Sequence, residues 1–320
     1  MAKAVSGTFG ELGEFAIVSE LTSRFAQGSH VRVGPGDDAA VVEVPGGQVV
    51  ASLDMLIENR HFRRDWSSAT DIGHKAAAEN LSDINAMGGR TTALLVGLGA
   101  PPELDLTWAM EFADGLAGEV DKVSASVVGG DLTRADVITI SISVLGVCDH
   151  GVVRRSGAQP GDLVALAGRQ GWAAAGFAVL GRGFRSPRAV ADAHRRPDPP
   201  YAAGPQAAQL GATAMIDISD GLLQDLGHVA VASGVAIDVQ SGSFEIAEPL
   251  QAVGAALGVD PMSFMLTGGD DYGLLATFPT DTALPDGWRQ IGTVLETAEA
   301  GAVTVDGAEY DESAGHQHFR

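Results

Sequence analysis

Cysteine and lysine are scarce in this chain of 320 residues. A single cysteine, Cys148, excludes an internal disulfide and a Cys-rich zinc site. It ends an apolar run and reads as a small buried hydrophobe. The only lysines are Lys3, Lys75 and Lys122, and none follows a glycine. The P-loop is therefore absent. Positive charge is short throughout: 20 Lys+Arg face 41 Asp+Glu, a net charge of −21. So acidic a chain is repelled by phosphodiester backbones and anionic lipid, which excludes nucleic-acid binding through a basic surface. No apolar run approaches the roughly 18 residues of a membrane helix. The N-terminus lacks the apolar stretch of a secretory leader. These absences predict a cytoplasmic protein with no membrane and no nucleic-acid partner.

What is present is a globular composition. Hydrophobic residues make up 45%, enough for a sizeable core. At roughly 150 residues per domain the length suggests about two domains. Apolar, β-branched runs predict strands over 39–44, 48–54, 92–99, 124–128 and 137–147, with helices over 69–87 and 106–121. A second set follows, with strands over 162–167, 214–218, 235–239, 272–277, 289–294 and 302–305. Its helices are expected over 171–180, 201–210, 222–232 and 249–257. The pattern predicts an α/β (α+β) protein of two domains, 1–150 and 151–320, divided near 147–154. The Pro- and Arg-rich stretch 182–200 reads as a loop or lid. Asn80-Leu81-Ser82-Asp83 resembles Asp217-Ile218-Ser219-Asp220, and Gly129-Gly130-Asp131 resembles Gly268-Gly269-Asp270. Nearly equal offsets suggest two halves of related topology, or a coincidence of short polar phrases.

The acidic residues sit in unusual places. Asp37-Asp38 follow a Gly-Pro-Gly turn, Asp54 ends an apolar strand, and Asp131 and Asp270-Asp271 follow glycine pairs. Asp217 and Asp220 bracket a strand-to-helix turn. Such carboxylates are costly beside apolar runs unless paired, and few Lys or Arg stand nearby. A hard divalent cation such as Mg²⁺ is the economical partner. Asp83 is the sharpest case, because an anion at the C-terminal end of a helix opposes the dipole. Each has a bland reading too: a solvated aspartate for Asp83, a helix cap for Asp217 or Asp220, a turn for Asp37-Asp38. Gly34-x-Gly36-x-x-Ala39 looks like a dinucleotide fingerprint, but a strand follows it where a helix is required.

Seven motifs in order carry a family resemblance. They are Gly36-Asp37-Asp38-Ala39-Ala40, Ser52-Leu53-Asp54, Asn80-Leu81-Ser82-Asp83, Gly129-Gly130-Asp131-x-Thr133-Arg134, Arg155-Ser156-Gly157-Ala158-x-Pro160-Gly161-Asp162, Asp217-x-Ser219-Asp220-Gly221-Leu222 and Gly268-Gly269-Asp270-Asp271-Tyr272. Together they resemble the thiamine-monophosphate kinase family, from Gly13-Glu14-Phe15 to His318-Phe319. The resemblance implies a two-domain fold like aminoimidazole-ribonucleotide synthetase, whose N-terminal domain forms a homodimer. It implies ATP and thiamine monophosphate as substrates and several Mg²⁺ ions. By position it implies metal ligation by Asp38, Ser52, Asp54, Asp83, Asp131, Asp217 and Asp220, with Leu53 offering a backbone carbonyl. Gly130, Asp131, Arg155 and Ser219 match ATP-contacting positions; His61, Asp270 and His316 match substrate-contacting ones. The family usually has Glu at position 270 and an aromatic at 316, so a shorter contact and altered ring stacking are expected.

The chemistry agrees with the residues. A phosphate acceptor is already ionised, so no acid or base residue is required, and catalysis is positioning plus charge neutralisation. Arg155 would add fixed positive charge; its bland reading is a surface arginine, and that of His61 a surface histidine. The alternatives are a non-catalytic Mg²⁺ or nucleotide-binding module and another ATP-dependent enzyme of the same superfamily. A selenophosphate synthetase would need a reactive N-terminal Cys, and the hydrogenase-maturation relative a C-terminal one.

Overall fold

The computed structural model describes residues 31–34, 36–44, 47–296 and 301–310. The first sheet holds β1 (Val31–Val33), β2 (Ala40–Val44), β3 (Gly47–Ile57), β4 (Arg90–Ala100), β5 (Ser126–Arg134) and β6 (Thr139–Val147). Their order is β1-β2-β3-β6-β4-β5. Neighbours are antiparallel except the parallel pair β4 and β5. Alternation puts Val50, Leu56, Leu94, Ile140, Ile142 and Val144 on one buried face. Helices α1 (Ala69–Ala86) and α2 (Leu106–Lys122) contribute Ile72, Leu81, Phe112 and Leu116 to that core. Leu53, Met55 and Leu95 lie on the opposite face and stay exposed.

Helix α1 begins at a capping box. Ser68 Oγ accepts the Asp71 N–H at 3.2 Å, and the Asp71 carboxylate accepts the Ser68 N–H at 2.9 Å. It ends at Met87, before Gly88 at φ 76°. Gly73 and Gly115 let α1 and α2 touch backbone to backbone. A Cβ on Gly73 would lie 2.0 Å from the Phe112 carbonyl oxygen, and one on Gly115 2.0 Å from that of Thr70.

The second sheet holds β7 (Leu163–Ala167), β8 (Ala214–Asp217), β9 (Ala236–Val239), β10 (Leu274–Phe278), β11 (Trp288–Leu295) and β12 (Val303–Val305). Their order is β12-β9-β11-β7-β10-β8. Around it lie α3 (Trp172–Gly181), α4 (Arg188–Arg195), α5 (Ala203–Gln209), α6 (Leu222–Ser233), α7 (Glu248–Leu257) and α8 (Pro261–Thr267). One face packs Val164, Leu166, Ile216 and Leu275 against Leu222, Leu226 and Leu250. The other packs Ala165, Met215 and Ala276 with Ala203 and Ala207 of α5 and Ala86 of α1. Helix α1 is therefore held between both sheets, and its run of buried alanines (Ala76, Ala77, Ala78) suits the narrow space.

Three expectations change. The 182–200 stretch is not simply a loop, because Arg188–Arg195 is helical and buries Val190, Ala191, Ala193 and His194. The prolines and arginines around this short apolar face hid it. Strand β5 does not stop near Val128 but runs through Gly129-Gly130-Asp131 to Arg134. The repeated phrases occupy different elements: Asp83 lies inside a helix and Asp220 in a turn, while Asp131 lies inside a strand and Asp270 in a loop. The strand orders of the two sheets also differ, so the phrases do not mark equivalent positions. Among the described residues no helix is long and apolar enough to cross a membrane.

Candidate active site

Three carboxylates converge where the two sheets meet across α1. Asp38 precedes β2, Asp83 stands in the last turn of α1, and Asp217 ends β8. Each offers an oxygen, and these atoms lie within 4.8 Å of one another. Asp38 and Asp217 are buried. Burial first, then the neighbouring charges of Asp54 and Asp217, pushes the Asp83 carboxyl well above the ordinary carboxylate range. The Asp217 carboxyl is pushed up by burial and then by Asp38. The last turn of α1 supplies no basic residue to relieve this.

Among the described residues, one cation enters. Arg155 clasps Asp38 with a two-pronged fork, Nε to Oδ2 at 3.0 Å and Nη2 to Oδ1 at 2.8 Å. The Arg155 N–H also donates to the Asp37 carboxylate at 3.2 Å. Even so, burial and then Asp38 push the Asp37 carboxyl up to about 6. A single guanidinium among four carboxylates leaves excess negative charge in a desolvated place. An all-oxygen donor set with that excess fits a hard divalent cation.

Strand β3 supplies the flank. Asp54 and Ser52 share the helix-facing side of the sheet with Val50 and Leu56. Asn80 of α1 fixes this strand, its Oδ1 accepting the Asp54 N–H at 3.1 Å. Ser52 Oγ donates to the Asp38 carbonyl oxygen at 3.2 Å. The Leu53 side chain points to the outer face.

Two turns from the second sheet are zipped together beside the trio. The Asp270 N–H donates to the Ser219 carbonyl oxygen at 2.9 Å, and the Tyr272 N–H to that of Ile218 at 3.1 Å. Gly269 is required there, since its Cβ would lie 2.1 Å from the Ser219 carbonyl oxygen. This pairing explains why the two motifs of positions 217–221 and 268–272 belong together. Neither Asp217 nor Asp220 caps α6. The helix starts after Gly221 with no side-chain cap, and Asp225 in its first turn reaches back to accept the N–H groups of Asp220 at 3.2 Å and Gly221 at 3.0 Å. Asp220, Asp225 and His228 form a second group with donor atoms within 4.8 Å of one another.

Asp270 reaches back to α1, where its Oδ2 accepts from Lys75 Nζ at 2.6 Å. Tyr272 Oη donates to the buried Glu79 at 3.2 Å. Burial, then Asp54, raises the Glu79 carboxyl well above its ordinary value. Sequence reasoning missed Lys75, Glu79 and Asp225. The signal for the first two was the four-residue spacing 75-79-83, which puts them on the helix face of Asp83.

Other expected residues stand apart. Asp131 pairs with Gly97 across β4 and, through it, lies level with Ser141 and Met55. That register puts Asp131 on the exposed outer face, opposite Asp54. The structure does not bring it into the trio. Gly130 is demanded by packing, since its Cβ would fall 1.9 Å from the Val96 carbonyl oxygen. His61 closes a turn, its Nδ1 accepting the Ile57 N–H at 2.9 Å. His316, like Gly13-Glu14-Phe15 and His318-Phe319, lies outside the described residues.

Comparison with known proteins follows the same lines. Residues 36–148 match the N-terminal domain of AIR synthase related proteins, and residues 159–312 the C-terminal domain. The fold is that of this superfamily. A thiamine-monophosphate kinase of Mycobacterium tuberculosis is 43% identical over 98% of this chain and 94% of its own. One of Corynebacterium glutamicum is 38% identical over 93% of this chain and 91% of its own. The solved structure of AaThiL complexed with AMPPCP and TMP superposes with a TM-score of 0.89 at 31% identity, over 98% of this chain and 100% of that one. The chain belongs to the thiamine-monophosphate kinase family.

Proposed function

We propose that this chain transfers the γ-phosphate of ATP directly, in line, to the phosphate of thiamine monophosphate, releasing ADP and thiamine diphosphate. The observation that carries the reading is the trio Asp38, Asp83 and Asp217, two of them buried, with Arg155 clasping Asp38, found in a member of this family. The acceptor phosphate is ionised at neutral pH and needs no base, and no acid or base residue is assigned. The chain's task is to hold two polyanions together and keep water out. Mg²⁺ ions, when bound, neutralise the phosphate oxygens and the charge that develops during transfer. Asp38, Asp83 and Asp217 would hold metal, with Ser52, Asp54 and Asp220 beside them. Arg155 and Ser219 are assigned to the nucleotide, and Asp270 and His61 to the substrate. His316 is assigned to the substrate and Gly130 and Asp131 to nucleotide and metal by family position alone.

Residues 1–150 are assigned to metal and ATP binding and to dimerisation, and 151–320 to completing the site. The exposed apolar outer face of the first sheet, with Leu53, Met55 and Leu95, supports a homodimer in which a second copy covers it. A cytoplasmic location is part of the same reading. The test is one assay of purified protein with ATP, Mg²⁺ and thiamine monophosphate. Thiamine diphosphate is the expected product. ATP binding without product would favour a non-catalytic nucleotide-binding module.

A further inference from the structure

The segment before β7 is pinned from two sides at the residue that carries the clasping guanidinium. Asp37 does so from the first sheet. Its Oδ1 accepts the Arg155 N–H at 3.2 Å and the Asp38 N–H at 3.1 Å. One oxygen thereby ties together the two backbones whose side chains form the fork. Ser233, the last residue of α6, does so from the other side. Its Oγ donates to the Arg155 carbonyl oxygen at 3.2 Å and accepts the N–H groups of Gly157 at 3.1 Å and Ala158 at 3.2 Å. A hydroxyl has one hydrogen and two lone pairs, so every bonding position of Ser233 serves this segment. Ser233 belongs to none of the seven motifs.

The neighbouring residues leave the backbone little freedom. The Val153 N–H donates to the Met87 carbonyl oxygen at 3.1 Å, and the Arg154 carbonyl oxygen accepts the Met215 N–H at 2.9 Å. Gly157 stands at φ 136°, and an added Cβ would lie 2.3 Å from the Thr213 carbonyl oxygen. The Arg155 side chain is 24% exposed, and its charge acts on Asp225 and His228 of α6. Backbone and side chain thus have separate anchors. Asp37 and Ser233 hold the first, and Asp38 holds the second.

We propose that Asp37 and Ser233 are positioning residues for Arg155, fixing its backbone so that the guanidinium works from a set point between Asp38 and the nucleotide phosphates. Asp38 is assigned to metal, so its hold on the guanidinium is the one that a bound nucleotide and its metal compete for. The two backbone anchors are untouched by that exchange. A guanidinium strengthens binding only as far as its donors arrive aligned, and a backbone displaced by about 1 Å loses much of that gain. This deepens the functional reading above and rests on its assignment of Arg155 to ATP.

The test measures binding apart from turnover. Wild type, Ser233→Ala, Ser233→Thr, Arg155→Ala and the double variant Ser233→Ala/Arg155→Ala are titrated calorimetrically with AMPPCP and Mg²⁺. Each is also assayed with ATP and thiamine monophosphate, and its Tm is followed. Ser233→Ala should weaken AMPPCP about five- to tenfold, the size of one lost hydrogen bond. The KM for ATP should rise equally, with the KM for thiamine monophosphate unchanged, and Ser233→Thr, which keeps the hydroxyl, should restore affinity. In the Arg155→Ala background, Ser233→Ala should bring no further loss. A lowered Tm with unchanged AMPPCP affinity, equal rises in both KM values, a Thr variant as weak as Ala, or additive losses in the double variant would overturn the positioning role. Asp37→Asn, whose amide oxygen still accepts, should bind AMPPCP more tightly than Asp37→Ala; equal affinities would overturn the part given to Asp37. Unchanged affinity in Arg155→Ala would sink the assignment of Arg155 to ATP and the proposal with it. A wild type that binds AMPPCP but makes no thiamine diphosphate would sink the kinase reading alone, with the positioning role decided by the titrations.

Discussion

Lys75 and Asp270 lie 195 positions apart in the chain and meet at 2.6 Å. Their burial is unequal: 6% of the lysine side chain is exposed against 41% of the aspartate's. The pair ties α1 to the loop after α8.

That inequality predicts an inequality of cost. Asp270→Asn leaves a buried ammonium without its partner, whereas Lys75→Met leaves a carboxylate that water still reaches. Asp270→Asn should therefore destabilise more, by about 1–3 kcal/mol. Urea unfolding of both variants checks the order. The double variant should recover part of the loss, and additive costs would refute the coupling.

The acidic trio predicts opposite effects on stability and activity. Asp83→Asn removes one of three mutually repelling buried carboxylates. The metal-free protein should melt higher than wild type, while the Mg²⁺-dependent rate falls about a hundredfold or more. Added Mg²⁺ should raise the Tm of wild type more than that of Asp83→Asn. A variant of lowered metal-free Tm would contradict the repulsion.

A pH dependence follows from Asp271. Its carboxylate accepts the Ala173 N–H at 3.0 Å, and burial pushes its carboxyl up to about 7. The folded value lies above the unfolded one, so the native state binds the extra proton. Stability from this group is full below the ordinary carboxylate range and is lost as pH rises through the folded value. Asp271→Asn keeps an acceptor for Ala173. It should match wild type only below about pH 4, gain on it steadily as pH rises from there to about 7, and hold that advantage at pH 8, within the roughly 1.4 kcal/mol per pKa unit that linkage allows. A constant difference across that window would count against the raised value.

Arg155→Lys retains the charge but loses the fork onto Asp38. The KM for ATP should rise about tenfold. Since a lysine still pairs with Asp38, stability should change little. An unchanged KM with a large fall in Tm would make Arg155 a purely structural residue.

Met55→Glu and Leu95→Glu place charge on the exposed face of the first sheet. Neither side chain contributes to the core beneath it. Each should convert a dimer to a monomer in light scattering with circular dichroism unchanged. A wild type already monomeric would refute the proposed pairing.

Much of this was legible in the residues. Strand and helix cores were visible because β-branched runs and small helical faces have strong periods, as in 137–147 and 69–87. The trio was visible because each aspartate adjoined an apolar run or a glycine turn. Other features depend on packing between distant segments. Lys75 and Glu79 look like ordinary exposed helix residues until the second sheet covers α1. The sheet face of Asp131 depends on the bulge that shifts the β4–β5 register between Leu94 and Leu95. Helix α8 is too short for periodicity to show, and its start is marked only by the Asp260 cap, accepting the Met262 N–H at 2.9 Å, and by Pro261 at its first position.

Helix α1 carries Lys75 at one end of a stripe and Asp83 at the other. Eight residues at 1.5 Å each separate them by about 12 Å along the axis. The helix is thus a ruler, set rigidly between two sheets, with the ion pair at one mark and the acidic trio at the other. It fixes how far the ion pair stands from the acidic trio. One residue inserted between positions 75 and 83 would add about 1.5 Å and turn one mark about 100° from the other. On the proposed function, a substrate made to bridge the two marks would then no longer fit, even with every side chain unchanged.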